Sequence, residues 1–292
     1  MPHKLNCDQN QAPVDKQVPR VNPLTSGVVE ADRSLARRTQ GLPISLLLFI
    51  GLVVMVSRIP FLSLSVMDWD ESAFILSARE LLQGHLPYTT FFDVKPAGST
   101  FLISAFMLMS SESVEAVRVF SVVCVFTTAC LLCSLTQRLT SNRLTALAAA
   151  LFYVVFSVKL NGIALMTEIL LAPFTVAGVL VLMLGERQSA GKAVLTFSAA
   201  GLLFGVSVWI KYVPAVPALL VMCSSVIVFY RSGSGLSYLF ACIFGFAMAL
   251  LVPTFVTVLI YWWSGNLEEF LYSNFGFVGR YVATADPWHE RL

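Results

Sequence analysis

Hydrophobic residues run through this chain in long stretches that short polar segments separate. A helix that spans a bilayer needs about 20 mostly apolar residues. Stretches of that kind cover residues 42–66, 118–137, 143–160, 167–184, 193–210, 213–230 and 236–262. One further apolar stretch, Gly98–Met109, is too short to span and is typical of an interfacial or re-entrant helix. The pattern predicts an all-α polytopic membrane protein with about seven transmembrane helices.

The basic residues predict how these spans are oriented, because short cytoplasmic loops are enriched in Lys and Arg. If residues 1–40 are cytoplasmic and Gly98–Met109 does not cross, the loops that carry Arg138, Arg187 and Arg231 all face the cytoplasm. If Gly98–Met109 did cross, the same three loops would lie outside. We therefore predict the first topology, with residues 67–117 forming the first extracytoplasmic loop.

Composition limits the class of protein. Of the 292 residues, 57% are hydrophobic and only 12% are charged, which excludes an ordinary soluble domain. Residues 1–40 are polar and basic and predict a disordered cytoplasmic tail, followed by a membrane module over residues 41–292. The net charge of +2 gives no indication of nucleic-acid binding. Five of the six cysteines lie in apolar stretches and are predicted to be buried hydrophobes. Without extracytoplasmic cysteine pairs, the chain fits a bacterial inner membrane.

Charged residues are concentrated directly after the first apolar stretch. Between Met67 and Pro96 there are five acids, one Arg, one Lys and one His. Charge beside a bilayer is costly and therefore indicates a functional site. Within this segment, residues 71–82 predict an amphipathic interfacial helix, with Ala73, Ile75 and Leu76 on its apolar side, that ends at Gly84.

The order of these elements resembles a known family. The pair Asp70-Glu71 precedes a helix rich in Ala, Arg and Leu, and Gly84-His-Leu-Pro-Tyr88, Asp93 and Lys95-Pro96 follow. This series resembles the first extracytoplasmic loop of membrane glycosyltransferases of the GT-C superfamily. The most similar group contains the protein O-mannosyltransferases and the lipid A aminoarabinose transferases of family 39.

The resemblance covers residues 45–220 and implies a GT-C-like helix bundle. Arg118 and Glu168 fall where the family carries an arginine and a second acidic residue. Full-length members run to several hundred residues, so the resemblance also implies that this chain is a fragment or a minimal module.

By the same resemblance, the donor is a sugar carried on a polyprenyl phosphate whose tail stays among the membrane lipids. A carboxylate can take the proton from an acceptor hydroxyl as that hydroxyl attacks the anomeric carbon. Asp70 is the predicted base, and direct displacement would invert the anomeric centre. The phosphate leaving group needs cations; Lys95 is the first candidate and Arg58, Arg118 and Lys211 are weaker ones.

The remaining candidates have less specific roles. Glu71 and Glu168 are predicted to orient the acceptor or a basic residue, and Tyr88 and Asp93 to contact the acceptor or shape the loop. Asp68, Asp70 and Glu71 offer oxygen ligands to a divalent metal, but one D-x-D pattern assigns no ion. The acceptor, whether a lipid, a glycan or a protein, stays open.

Each candidate also has a purely structural interpretation. Asp70 and Glu71 are favourable in the first turn of a helix, and Glu168 can act as a solvated cap. Lys95 can snorkel, while Arg58, Arg118 and Lys211 can anchor span ends at lipid headgroups.

Two other functions are open. A non-catalytic scaffold with the same fold would tolerate replacement of Asp70. A lipid or sugar transporter would place ionisable residues in the middle of its spans, whereas Arg58, Lys159, Glu168 and Lys211 lie near span ends.

Overall fold

The computed structural model describes residues 42–64, 68–90, 92–160, 162–185, 190–231 and 235–277, and in these ranges it is all-helical with no strand. The predicted tail, residues 1–40, lies outside them. The helices are α1 Ile44–Arg58, α2 Trp69–Leu82, α3 Gly98–Met109, α4 Val114–Thr140, α5 Arg143–Lys159, α6 Thr167–Gly185, α7 Ala190–Ile210, α8 Ala215–Arg231, α9 Leu236–Trp263 and α10 Leu267–Leu271. A 3₁₀ turn, Ile59–Phe61, follows α1, and a π-helical turn, Tyr272–Gly276, follows α10.

Each predicted apolar stretch corresponds to a helix, and four helices are long and apolar enough to cross a membrane. These four are Ile44–Phe61, Val114–Thr140, Gly191–Ile210 and Leu236–Trp263. The structure therefore supports an all-helical membrane protein, while the predicted count of about seven spans is not confirmed. The three predicted spans that are not among these four are α5 and α8, with 17 residues each, and α6, whose apolar part is Thr167–Met183. All three are shorter than the roughly 20 residues that a straight span needs.

Helices α7 and α9 pack closely against each other. A Cβ atom on Gly201 would lie 2.2 Å from the Phe246 carbonyl oxygen, and one on Gly205 would lie 2.4 Å from that of Leu250. The spacing Gly201-x-x-x-Gly205 puts both glycines on one helix face. Lipid tails are as apolar as the helices, so close packing of this kind, rather than the hydrophobic effect, holds the two helices together.

Helix α2 ends where its sequence predicts, just before Gly84, but it begins at Trp69 instead of at residue 71. The Asp68 side chain caps it by accepting a hydrogen bond from the Asp70 backbone N at 2.8 Å. Its end is a Schellman motif: the N–H of His85 donates to the Glu80 carbonyl at 3.0 Å, and Gly84 adopts φ 94°. Only glycine takes this conformation without strain.

The predicted apolar side of α2 is only partly buried in protein. Ile75 is buried and Leu76 is exposed, while Phe74, Ala78 and the charged Glu71 are buried as well. The reason is that α3 lies alongside α2: Ser104 donates to the Ala78 carbonyl at 3.0 Å. Protein therefore covers the inner face of α2, and the neighbouring helices rather than hydropathy decide which side chains face inward.

Candidate functional site

One end of the bundle gathers most of the charged residues that the sequence identified. The backbone N of Leu165, just before α6, donates to Glu71 Oε1 at 3.0 Å and ties α6 to α2. Lys211, directly after α7, forms an ion pair with Glu168 in the first turn of α6. The beginnings of α2 and α6 and the end of α7 therefore meet at this end.

Asp70 and Lys95 form the accessible centre of the site. Lys95 Nζ lies 2.8 Å from Asp70 Oδ2, with 48% of the Asp70 side chain and 22% of the Lys95 side chain exposed. Beneath the pair, Lys95 Nζ is 4.4 Å from the centroid of the Phe74 ring. A cation above an aromatic face is held electrostatically. The arrangement presents a carboxylate and a fixed ammonium side by side to an incoming molecule.

The loop before α3 fixes the position of Lys95 at its backbone. The Lys95 N–H donates to Asp93 Oδ1 at 3.1 Å, and the Tyr88 hydroxyl donates to the Lys95 carbonyl at 2.6 Å. Partial burial raises the pKa of Asp93, and the Asp70 charge adds to the increase. Burial also raises the pKa of Tyr88, so its hydroxyl remains a donor. Both loop residues contact Lys95, and no acceptor is needed to explain their positions.

An aromatic cluster that sequence reasoning missed supports this loop. Tyr88 is buried with φ 71°, in the left-handed region that few side chains adopt. Its ring lies 6.0 Å from that of Tyr261 and 6.2 Å from that of Phe270, between centroids. The Tyr261 hydroxyl donates to the Pro87 carbonyl at 2.8 Å. The sequence did contain a signal, because Tyr261 is a tyrosine within an apolar stretch near the end of a span. That position alone does not predict a hydrogen bond to Pro87, which is 174 residues away.

Glu71 and Arg118 do not face the open surface. They form an ion pair at 2.9 Å, with 2% and 1% of their side chains exposed. Arg118 also donates to the carbonyls of Phe61, Leu62 and Leu64. Of the two roles predicted for Glu71, this geometry fits the orientation of a basic residue, Arg118, and not contact with an acceptor. Arg118 does not reach a phosphate or a headgroup, because its charge is neutralised by Glu71 inside the protein.

Arg58 is also buried, with 2% of the residue exposed. Its guanidinium donates to the Ser157 hydroxyl at 2.7 Å and to the Gly162 carbonyl. It therefore joins the end of α1 to the end of α5 and does not reach toward phosphate at the surface.

Glu168 and Lys211 are the second accessible pair. The Glu168 side chain is 59% exposed and that of Lys211 is 32% exposed. Thr167 donates to Glu168 Oε2 at 3.0 Å, so both carboxylate oxygens have partners. Exposed pairs of this kind contribute little stability, which leaves both groups available to a ligand.

A metal centre has no ready set of ligands in the part of the chain that the structure describes. No group of three or more His, Cys, Asp or Glu side chains lies close enough there to hold an ion.

Comparison with known proteins adds no family to this geometry. No family model, no curated protein and no solved structure matches the chain. The class that fold and site define is therefore an all-helical membrane protein with an acid–lysine site at one end of its bundle.

Proposed function

We propose that this protein is an inverting glycosyltransferase that moves a sugar from a polyprenyl-phosphate donor to an acceptor at the extracytoplasmic face of the membrane. The proposal combines the resemblance of residues 68–96 to GT-C enzymes with one observation, the exposed Asp70–Lys95 pair. Such a transferase needs a base and a cation within reach of one another, at the end of apolar helices where a lipid-linked substrate is held.

The two side chains take complementary roles in the reaction. The acceptor oxygen attacks the anomeric carbon and forms the new glycosidic bond, while the bond from that carbon to the phosphate oxygen breaks. Asp70 receives the proton of the acceptor hydroxyl. Lys95 stabilises the negative charge that stays on the polyprenyl phosphate. Because a bound phosphate competes with Asp70 for Lys95, donor binding would also free the carboxylate to act as a base.

In this proposal, buried charged residues hold the framework of the site together. Glu71 and Arg118 fix the first turn of α2, and Arg58 fixes the end of α5, instead of contacting the donor. Lys211 and Glu168, the second accessible pair, are assigned to the acceptor side.

The proposal includes the topology in which α5, α6 and α8 also cross, giving about seven spans with a cytoplasmic N-terminus. Two exposed turns test it. Ser111, before α4, is expected outside, and Ser141, after α4, inside. In a cysteine-free background, an impermeant maleimide should label Ser111→Cys but not Ser141→Cys in intact cells. The reverse labelling would contradict the topology.

The central test is sugar transfer from a radiolabelled polyprenyl-phosphate sugar by membranes that carry wild type, Asp70→Asn or Glu80→Gln. General bases contribute about 10²- to 10⁴-fold to rate, so Asp70→Asn should lose about that factor at normal protein levels. Glu80→Gln, an equally conservative change on the same helix, is the matched control and should keep wild-type activity. Full transfer by Asp70→Asn would exclude Asp70 as the base. No transfer by wild type with any of several donors would instead favour a non-catalytic scaffold.

A further inference from the structure

A long apolar groove runs along α5 toward the second accessible pair. It has a volume of about 900 Å³ and is lined by Leu132 of α4, by Ile169 of α6 and by the face of α5 that begins at Thr145 and continues to Leu160, the residue after the helix. At 1.5 Å per residue, that face is roughly 22 Å long, most of the roughly 30 Å hydrocarbon core of a bilayer.

The shape of the groove suits one hydrocarbon chain. Ala148 and Ala149 leave space toward its Thr145 end, and Phe152 and Phe156 add bulk closer to its polar end. Their rings stack with centroids 4.0 Å apart. Pockets that enclose small molecules have volumes of about 300–1,000 Å³, so this groove is large enough to hold much of a lipid chain.

The polar end of the groove has a definite charge. Ser157, Gly162 and Glu168 line it, and Glu168 is the charged side chain among the lining residues of this groove. Arg58 holds Ser157 and Gly162 in place but is itself buried and does not line the groove. An ionised carboxylate accepts hydrogen bonds only. It therefore attracts hydroxyl groups, and because Lys211, which pairs with it, does not line the groove, the lining itself offers no cation to a phosphate.

We propose that this groove binds the hydrocarbon chain of a glycolipid whose uncharged, hydroxyl-bearing head reaches Glu168. The inference rests on the proposed function and deepens it, because such a lipid would be the acceptor. Leu165, three residues before Glu168, is bonded to Glu71, the neighbour of Asp70. The segment that receives the head is thus tied to the helix that carries the proposed base.

Photolabelling tests the groove without any need for transferase activity. The purified full chain, reconstituted in lipid nanodiscs, is irradiated with an alkyl glucoside that carries a diazirine in its chain, and the labelled peptides are identified by mass spectrometry. We expect label on α5 and on the first turns of α6. Saturable labelling that avoids both helices would overturn the proposal.

Two matched tryptophan variants locate the occupied space. Ala149→Trp fills the groove and should lower labelling about tenfold, the change that a loss of about 1.4 kcal/mol of binding gives. Ala247→Trp, at an exposed position of α9, should leave labelling unchanged. If Ala149→Trp elutes as an aggregate, Ala149→Leu replaces it. If a folded variant with the filled groove is labelled as strongly as the wild type, the inference is refuted.

Competition with unlabelled lipids tests the head group. The alkyl glucoside should compete better than an alkyl phosphate of the same chain length, and Glu168→Gln should reduce this preference. Stronger competition by the phosphate would overturn the proposal and assign the groove to an anionic lipid. If the groove is labelled as expected but no sugar is transferred, lipid binding in the groove is supported and the proposed glycosyltransferase activity is rejected. If sugar is transferred but the groove is not labelled, only the proposal about the groove is rejected.

Discussion

Replacing Glu71 by Ala should unfold or strongly destabilise the protein rather than only inactivate it. The change leaves the Arg118 charge buried and without its carboxylate, and it removes the acceptor of the Leu165 N–H. Breaking a buried ion pair by removing one partner costs about 3–5 kcal/mol. Arg118 keeps its hydrogen bonds to three backbone carbonyls, so the cost stays within this range. Whole domains are stable by only about 5–15 kcal/mol.

The measurement is the melting temperature of purified Glu71→Ala in detergent, followed by the loss of the monodisperse elution peak. At about 2–4 °C per kcal/mol for a protein of this size, the melting temperature should fall by about 6–20 °C. Asp70→Asn is the matched control. Its pair is half exposed, and such pairs contribute about 0–1 kcal/mol, so its melting temperature should change little while transfer is lost.

A double variant separates charge from shape. Replacing a buried ion pair by apolar side chains of similar volume is often neutral or stabilising, so Glu71→Leu combined with Arg118→Met should recover much of the lost stability. The reasoning would be refuted if Glu71→Ala kept the wild-type melting temperature but lost transfer. Glu71 would then act in the chemistry, as its place beside Asp70 first indicated.

Two further perturbations test the loop and its support. Gly98→Ala would put a Cβ atom 2.3 Å from the carbonyl oxygen of Trp209 and should lower the stability measured in a thermal melt by about 1–3 kcal/mol. The control Gly191→Ala, whose Cβ atom meets open space, should be neutral. Equal melting temperatures of the two variants would contradict the contact. Because burial raises the pKa of Asp93, the folded state binds its proton more tightly than the unfolded chain, so the stabilising contribution present at low pH is lost as pH rises through the raised pKa. Asp93→Asn keeps an oxygen for the Lys95 N–H and should therefore gain stability relative to wild type as the pH rises above about 4, the ordinary pKa of an aspartate. A difference in stability that does not change with pH would argue against the shift.

The sequence alone determined the helices. Each apolar stretch became a helix because a buried or lipid-facing backbone must satisfy its own hydrogen bonds, and hydropathy reports this need directly. A local signal set the end of α2 just as well, since the stop at Gly84 acts through atoms only a few residues away; the cap Asp68 is equally local but was not predicted. The accessible candidates Asp70 and Lys95 were also identified from the charge that concentrates after the first stretch.

Only the tertiary structure decided which charged groups face a ligand. In sequence, Glu71 and Arg118 look as available as Asp70 and Lys95, because composition does not record partners 47 residues apart. Glu71 is buried because three elements cover the inner face of α2: α3, α4 and the turn before α6. The physical reason is that a carboxylate has no intrinsic role: its neighbours and its exposure decide whether it holds the fold together or meets a substrate.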